Sequence, residues 1–243
     1  VDAPWPEVLE RWSRETGKKI WFPEFMDIFD IDFREAIRFD VSFMFDVKVI
    51  EETNNFRIVS DGEGKTIKYW KNLTGIPQPL EYKIKGKEDW LKCKNRLVPS
   101  LDRIGISLYG EYETGGDKVT KKVGFDQVLK KYKEARKDKY MVMAVLEPYE
   151  ATMGKLGDEN LLIKLVEDPE MVKDMFKTYT NMMIDTCKML FSEGVKPNGI
   201  FLGGDIAYNH GMLFSPATYR ELLMPFHKQI CNFFKENKMP VIY

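Results

Sequence analysis

Cysteine and histidine are scarce in this chain. Three cysteines, Cys93, Cys187 and Cys231, lie far apart in 243 residues. Their odd number and wide spacing speak against a disulfide framework and for a reducing compartment. Cys187 and Cys231 sit among helical apolar residues and are expected to be buried structural thiols. The two histidines, His210 and His227, form no ligand-spaced pair with each other or with a cysteine, so no metal site is expected within the chain. A basic excess is missing too: 37 basic against 38 acidic side chains leave a net charge of -1. Nucleic-acid affinity is dominated by phosphate neutralisation, so no nucleic-acid partner is expected. No apolar run is long enough to span a bilayer, and residues 1–6 lack the basic and apolar regions of a signal peptide. The expectation is a cytoplasmic protein without membrane contact. Repeats and low-complexity stretches are absent as well.

What is present is core material. Hydrophobic residues make up 44% of the chain, with 16 Phe, 13 Met, 11 Tyr and 5 Trp, which excludes disorder over most of its length. Pro6 and Glu7 open a short helix carrying Val8, Leu9 and Trp12, with Gly17 as its stop. A second short helix is predicted over residues 33–38. Alternation over residues 41–50 reads as a strand. The runs 56–59 and 66–70, separated by Asp61-Gly62-Glu63-Gly64, read as a hairpin. One helix is predicted over residues 88–96, a surface loop at Thr114-Gly115-Gly116-Asp117, and an amphipathic helix on Phe125, Val128, Leu129 and Tyr132. Its lysine-rich surroundings, 118–139, read as a solvated face.

The second half has a clear rhythm. Residues 140–146 form a continuous apolar strand of the kind buried on both faces. Asp168-Pro169 caps a long helix ended by Gly194, and residues 199–202 form another buried strand. Ser215-Pro216 caps a helix that Pro225 is expected to bend, and residues 240–243 begin a third strand. Strands alternating with helices over short links call for a parallel sheet. The dinucleotide-binding fingerprint of a doubly wound sheet is missing. Gly64-Lys65-Thr66 imitates the end of a P-loop, but Val59 stands where a glycine is required and a strand follows in place of a helix, so a phosphate loop is excluded.

Ligands of parallel α/β folds bind beyond the strand C-termini. The strand 199–202 runs into Gly203-Gly204-Asp205-Ile206-Ala207-Tyr208-Asn209-His210-Gly211. Two glycines permit close approach, and an acid, a phenol, an amide and an imidazole follow within six positions. Asp205 is the candidate catalytic residue, with Tyr208 and His210 as substrate-binding candidates. Glu147-Pro148-Tyr149-Glu150 follows strand 140–146 in the same way, so Glu147 and Tyr149 are expected at the same mouth.

Gly204 to Pro216, with Tyr219-Arg220-Glu221-Leu222-Leu223-Met224-Pro225, resembles the uroporphyrinogen-decarboxylase superfamily. There the corresponding strand also ends in an Asp, followed by a Gly, a Leu-Ser-Pro helix start and a helical Pro. Trp5 to Trp12, the hairpin from Phe56 to Tyr69 and Asp168-Pro169-Glu170 also fit, so the likeness covers nearly the whole chain. It points to the branch related to corrinoid-linked methyltransferases. The resemblance implies one TIM-type (β/α)8 barrel domain over 1–243. An N-terminal helix and a β-hairpin at about 41–70 elaborate it, and the chain is truncated before closure by roughly two or three βα units. It implies methyl transfer between a small substrate or thiol and a corrinoid on a partner protein, with zinc in the complete protein on ligands beyond Tyr243. In this reading Asp205 orients or protonates the ligand, and Tyr149, Tyr208 and His210 line the mouth. The decarboxylases' Arg-Gln-Ala-Gly-Arg-Tyr motif has no match, and their Asp-Ser-Trp-Ala-Gly is replaced by Asp205-Ile206-Ala207-Tyr208. Tetrapyrrole decarboxylation is thus the weaker reading, since a polycarboxylate needs cationic partners. A non-catalytic corrinoid-protein-binding subunit and a homodimer are further expectations.

Overall fold

Two larger sheets of different character and one two-stranded hairpin divide the strands among them. A computed structural model describes residues 4, 6–20, 25, 28–71, 76–105, 125–135 and 139–243, with backbone alone at 33–36 and 131. The first helix, α1 (Pro6–Thr16), ends before Gly17, whose φ is +66°. The next strand, β1 (Phe33–Phe39), belongs to the larger sheet.

Four strands then make a separate antiparallel meander in sequence order: β2 (Lys48–Glu52), β3 (Phe56–Ser60), β4 (Lys65–Trp70) and β5 (Gln78–Tyr82). Val59 opposite Ile67 forms its buried face. The turn between β3 and β4 closes on Asp61, whose side chain accepts the amides of Glu63 and Lys65. Gly64 takes the positive φ that this turn needs.

The connection back runs through α2 (Lys87–Cys93), the short strand β6 (Ile104–Gly105) and α3 (Phe125–Ala135). Beyond it lies β7 (Tyr140–Leu146), buried on both faces. Three helices follow: α4 (Pro148–Leu156), α5 (Asp158–Glu167) and α6 (Pro169–Ser192). Asp168 caps α6 by accepting the amide of Met171, the role its place before Pro169 predicts. Strand β8 (Gly199–Gly203) leads to a small hairpin, β9 (Ala207–Tyr208) with β10 (Gly211–Met212). The last helical region comprises α7 (Pro216–Thr218), a π-helical stretch Tyr219–Leu223 and α8 (Met224–Glu236). Strand β11 (Val241–Ile242) ends the described chain.

The five-stranded sheet has the order β11-β8-β7-β1-β6. Its first four strands are parallel, and β6 runs antiparallel to β1. Met141, Met143 and Val145 of β7 share one core with Val172, Met175, Phe176 and Met183 of α6. Each such side chain contributes about 1.5–3 kcal/mol by leaving water. Tyr179 of α6 donates its hydroxyl to the Leu146 carbonyl at 2.6 Å, tying the helix to the C-terminal end of β7.

This architecture corrects the expected (β/α)8 barrel. The larger sheet is small, mixed and open, and no barrel pattern is present among the described residues. Between β1 and β7, residues 48–82 form an antiparallel meander, and the described residues there supply no further parallel βα unit. Two local expectations change as well. Residues 33–39 form a strand where a helix was predicted, because Ile37 and Phe39 are buried on either side of partly exposed Arg38, a period of two, and β1 pairs in parallel with β7. The alternation over 41–50 yields a strand only from Lys48 onward. Residues 114–124 and 136–138 lie outside the described residues.

Candidate functional site

The C-terminal ends of β7 and β8 meet at Glu147 and Gly203, where the Glu147 amide donates to the Gly203 carbonyl at 2.8 Å. Glu147 is the N-cap of α4 and is fully buried. Its Oε1 accepts the Glu150 amide at 2.7 Å, and its Oε2 accepts the Tyr149 amide at 2.9 Å. Proline at the next position and a carboxylate on the first turn's free amides are the ordinary chemistry of a helix start.

A third partner makes the place unusual. His227 Nε2 lies 3.0 Å from Glu147 Oε2, and its Nδ1 lies 3.1 Å from the Tyr219 hydroxyl. The carboxylate only accepts, so Nε2 carries the proton and a neutral ring leaves Nδ1 to accept from Tyr219. Carboxylate, imidazole and phenol form a connected chain from the buried helix start toward the surface. The Tyr243 ring packs against His227 with centroids 5.5 Å apart.

Two local features make the chain possible. Gly204 follows β8, and a Cβ there would lie 2.1 Å from Glu147 Cγ, so only glycine admits the buried carboxylate. In a regular helix Tyr219 and His227, eight residues apart, would point about 80° away from each other. The π-helical stretch between them, in which the Met224 amide donates to the Tyr219 carbonyl, absorbs one extra residue. That returns the two side chains to within about 20° of one face. Pro225 explains the distortion: it has no amide to donate to the Glu221 carbonyl four residues back.

Asp205 is exposed at the start of the loop after β8, and its amide donates to Glu150 Oε2 at 3.2 Å. Burial and the carboxylates of Asp205, Glu147 and Asp158 raise the Glu150 carboxyl above its ordinary value, against the lowering effect of the Asp205 amide. Tyr149 is fully buried against Phe214, with ring centroids 5.0 Å apart. Burial first, and the carboxylates of Asp158, Glu147 and Glu150 after it, push its phenol up to about 12. Burial, then Glu147, Tyr219, Asp205 and Glu150, raise Tyr243. Tyr208 and His210 are exposed on the β9–β10 hairpin, edge to face at 5.8 Å.

The structure therefore brings Glu147, Tyr149 and Asp205 to one strand-end region, while Tyr208 and His210 are exposed on the hairpin that follows and contact none of them. His227 and Tyr219, missed by sequence reasoning, complete it. The only sequence signal for them was Pro225, read there as a bend. Cys231 is exposed, contrary to expectation, whereas Cys187 is buried and its thiol is raised by that burial. No family model, curated protein or solved structure matches this chain.

A zinc centre does not fit the residues at hand. No three His, Cys, Asp or Glu side chains converge on a metal-sized site among the described residues, and both His227 nitrogens are already engaged. No helix among the described residues is long and apolar enough to cross a membrane.

Proposed function

We propose that this chain handles the small substrate in an enzyme that moves a methyl group between that substrate, or a thiol, and a corrinoid carried by a partner protein. The carrying observation is the Glu147–His227–Tyr219 chain beside the Asp205 loop. A methyl group leaving oxygen, nitrogen or sulfur leaves behind a heteroatom that takes up a proton, and the reverse transfer removes one. A buried carboxylate orienting an imidazole that faces a hydroxyl suits such proton movement. Glu147 orients His227, Tyr219 relays the proton, and Asp205 positions the substrate from the neighbouring strand end. The choice of methyl transfer rests on the resemblance of residues 204–225 to the methyltransferase-like branch of the uroporphyrinogen-decarboxylase superfamily. No step runs through zinc.

The charge at this site favours methyl transfer over tetrapyrrole decarboxylation. Glu147, Glu150 and Asp205 have no lysine or arginine partner among the described residues. A polycarboxylate would meet repulsion there.

The test is methyl exchange, followed by corrinoid absorbance, between a methylated corrinoid protein and small thiols or methylated substrates. His227→Ala should lower exchange by about 100-fold or more, a typical contribution of acid–base catalysis, with the circular dichroism unchanged. Partner capture without any turnover would support the non-catalytic subunit instead. Carbon dioxide release from uroporphyrinogen would support the decarboxylase.

A further inference from the structure

The C-terminal ends of β11, β8 and β7 lie side by side in the larger sheet. Ile242 pairs with Phe201, and Gly203 pairs with Leu146. The residues just past those pairs are neighbours in turn: Tyr243 after β11, Gly204 and Asp205 after β8, and Glu147 after β7. Groups that handle ligands in parallel sheets stand at such strand ends. Tyr243 has no part in the relay described so far, yet it touches it.

Its ring packs on the His227 imidazole with centroids 5.5 Å apart and planes at 59°. The Tyr219 ring packs on the same imidazole at 5.7 Å and 60°. His227 is 8% exposed and Glu147 is fully buried, whereas Tyr243 itself is 59% exposed. A side chain that is wet on one side and touches a buried imidazole on the other is that imidazole's cover. The Tyr243 phenol also feels Glu147 and Tyr219 from the relay and Asp205 and Glu150 from the neighbouring strand end. A hydrogen bond kept from water is electrostatically stronger, and water cannot compete for its donor. The geometry matters twice here. Nδ1 of His227 faces Tyr219 while Nε2 stays on Glu147, so a turn of the ring breaks both contacts.

We propose that Tyr243 is a positioning residue of this site, whose ring keeps water from the Glu147–His227 hydrogen bond and fixes the imidazole against Tyr219. Its consequence for turnover rests on the methyl-transfer reading; the positioning itself does not.

Low-field proton NMR tests this, with the His227 Nε2 proton identified by its disappearance in His227→Ala. The parent should show the signal, because a shielded imidazole N–H exchanges slowly with water. Tyr243→Phe should keep it, since the ring carries the effect. Tyr243→Ala should lose it with the circular dichroism unchanged, since an exposed side chain at a strand end carries little of the fold. In methyl exchange, Tyr243→Ala should lower kcat about 10-fold at unchanged KM, part of the acid–base contribution, and Tyr243→Phe should restore the parental rate. A parent without the signal, an Ala variant that keeps it or a Phe variant that loses it overturns the proposal. Loss of the signal in the Ala variant, with no methyl exchange even by the parent, supports the positioning and removes the enzyme reading. A retained signal with undiminished exchange in the Ala variant removes Tyr243 and leaves methyl transfer standing.

Discussion

Gly204 shows how much a single side chain decides here. Its missing Cβ leaves the space that Glu147 Cγ and Oε1 fill, and the buried carboxylate is then satisfied by two helix amides and His227. Gly204→Ala should therefore act twice. Overpacking of a buried site costs about 1–3 kcal/mol, and displacement of Glu147 should uncouple His227. A lowered chemical-denaturation midpoint together with loss of the His227 proton signal in the low-field NMR region is the expected result. A variant as stable as the parent with an unaltered histidine spectrum would contradict it. The glycine pair at 203–204 was legible as a close-approach signal, because absence of a side chain can be read without coordinates. Glu147 was legible only as a residue after a strand. Its capping role depends on Pro148 starting a helix, and its meeting with His227 spans 80 positions.

Helices and strands respond to wider context. The caps at Asp168 and Ser215 follow from a few neighbouring residues, and both accept helix amides as their positions predict. The π-helical stretch is different. Pro225 signals a disturbance, but whether a helix bends, breaks or takes in an extra residue depends on what its face must touch. Here Leu222 and Leu223 are buried within it and His227 is buried just beyond it. Pro225→Ala restores the missing amide and should let a regular helix form. The helix should gain stability while Tyr219 and His227 rotate apart. The expected outcome is a melting temperature equal to or above the parent's with methyl exchange reduced about 10-fold or more; full activity would show that the π-helical stretch is incidental. The sheet edges carry their own signals. Pro79 interrupts β5, while β2 is fully exposed but kinked between Val49 and Glu51 and flanked by Lys48 and Glu52. These are devices that discourage edge-to-edge pairing.

At the level of the whole molecule, the meander docks on α4 through its β3–β4 turn. A Cβ on Gly154 would lie 2.9 Å from both Glu63 carboxylate oxygens, and one on Gly157 would lie 2.8 Å from the Tyr82 ring. Lys155 is buried in this joint, donating to the Ala151 carbonyl at 2.7 Å with its ammonium 5.6 Å from the Phe43 ring centroid. Burial, only partly offset by Glu63 and Asp40, lowers its amine to about 8. Below about pH 8 the amine is protonated in both the folded and unfolded chains, and the folded state bears the desolvation cost. Between about 8 and the ordinary lysine value the folded amine sheds its proton first, so stability rises with pH across that window. Lys155→Met should remove this rise and add on the order of 1–3 kcal/mol at pH 7, measured by denaturant unfolding at pH 7 and pH 10. An unchanged pH dependence in the variant would place the titrating group elsewhere.

Read alone, the chain determined its buried strands at 140–146 and 199–202, its capped helices and its glycine-turned hairpin. Periodicity, caps and turn residues act over a few positions and need no distant partner. Tertiary structure alone decided that residues 33–39 join a sheet instead of coiling, that the parallel strands remain an open sheet and do not close into a barrel, and that His227 and Tyr219 reach Glu147. Those outcomes depend on which surfaces bury one another across the fold, a competition that local pattern does not encode.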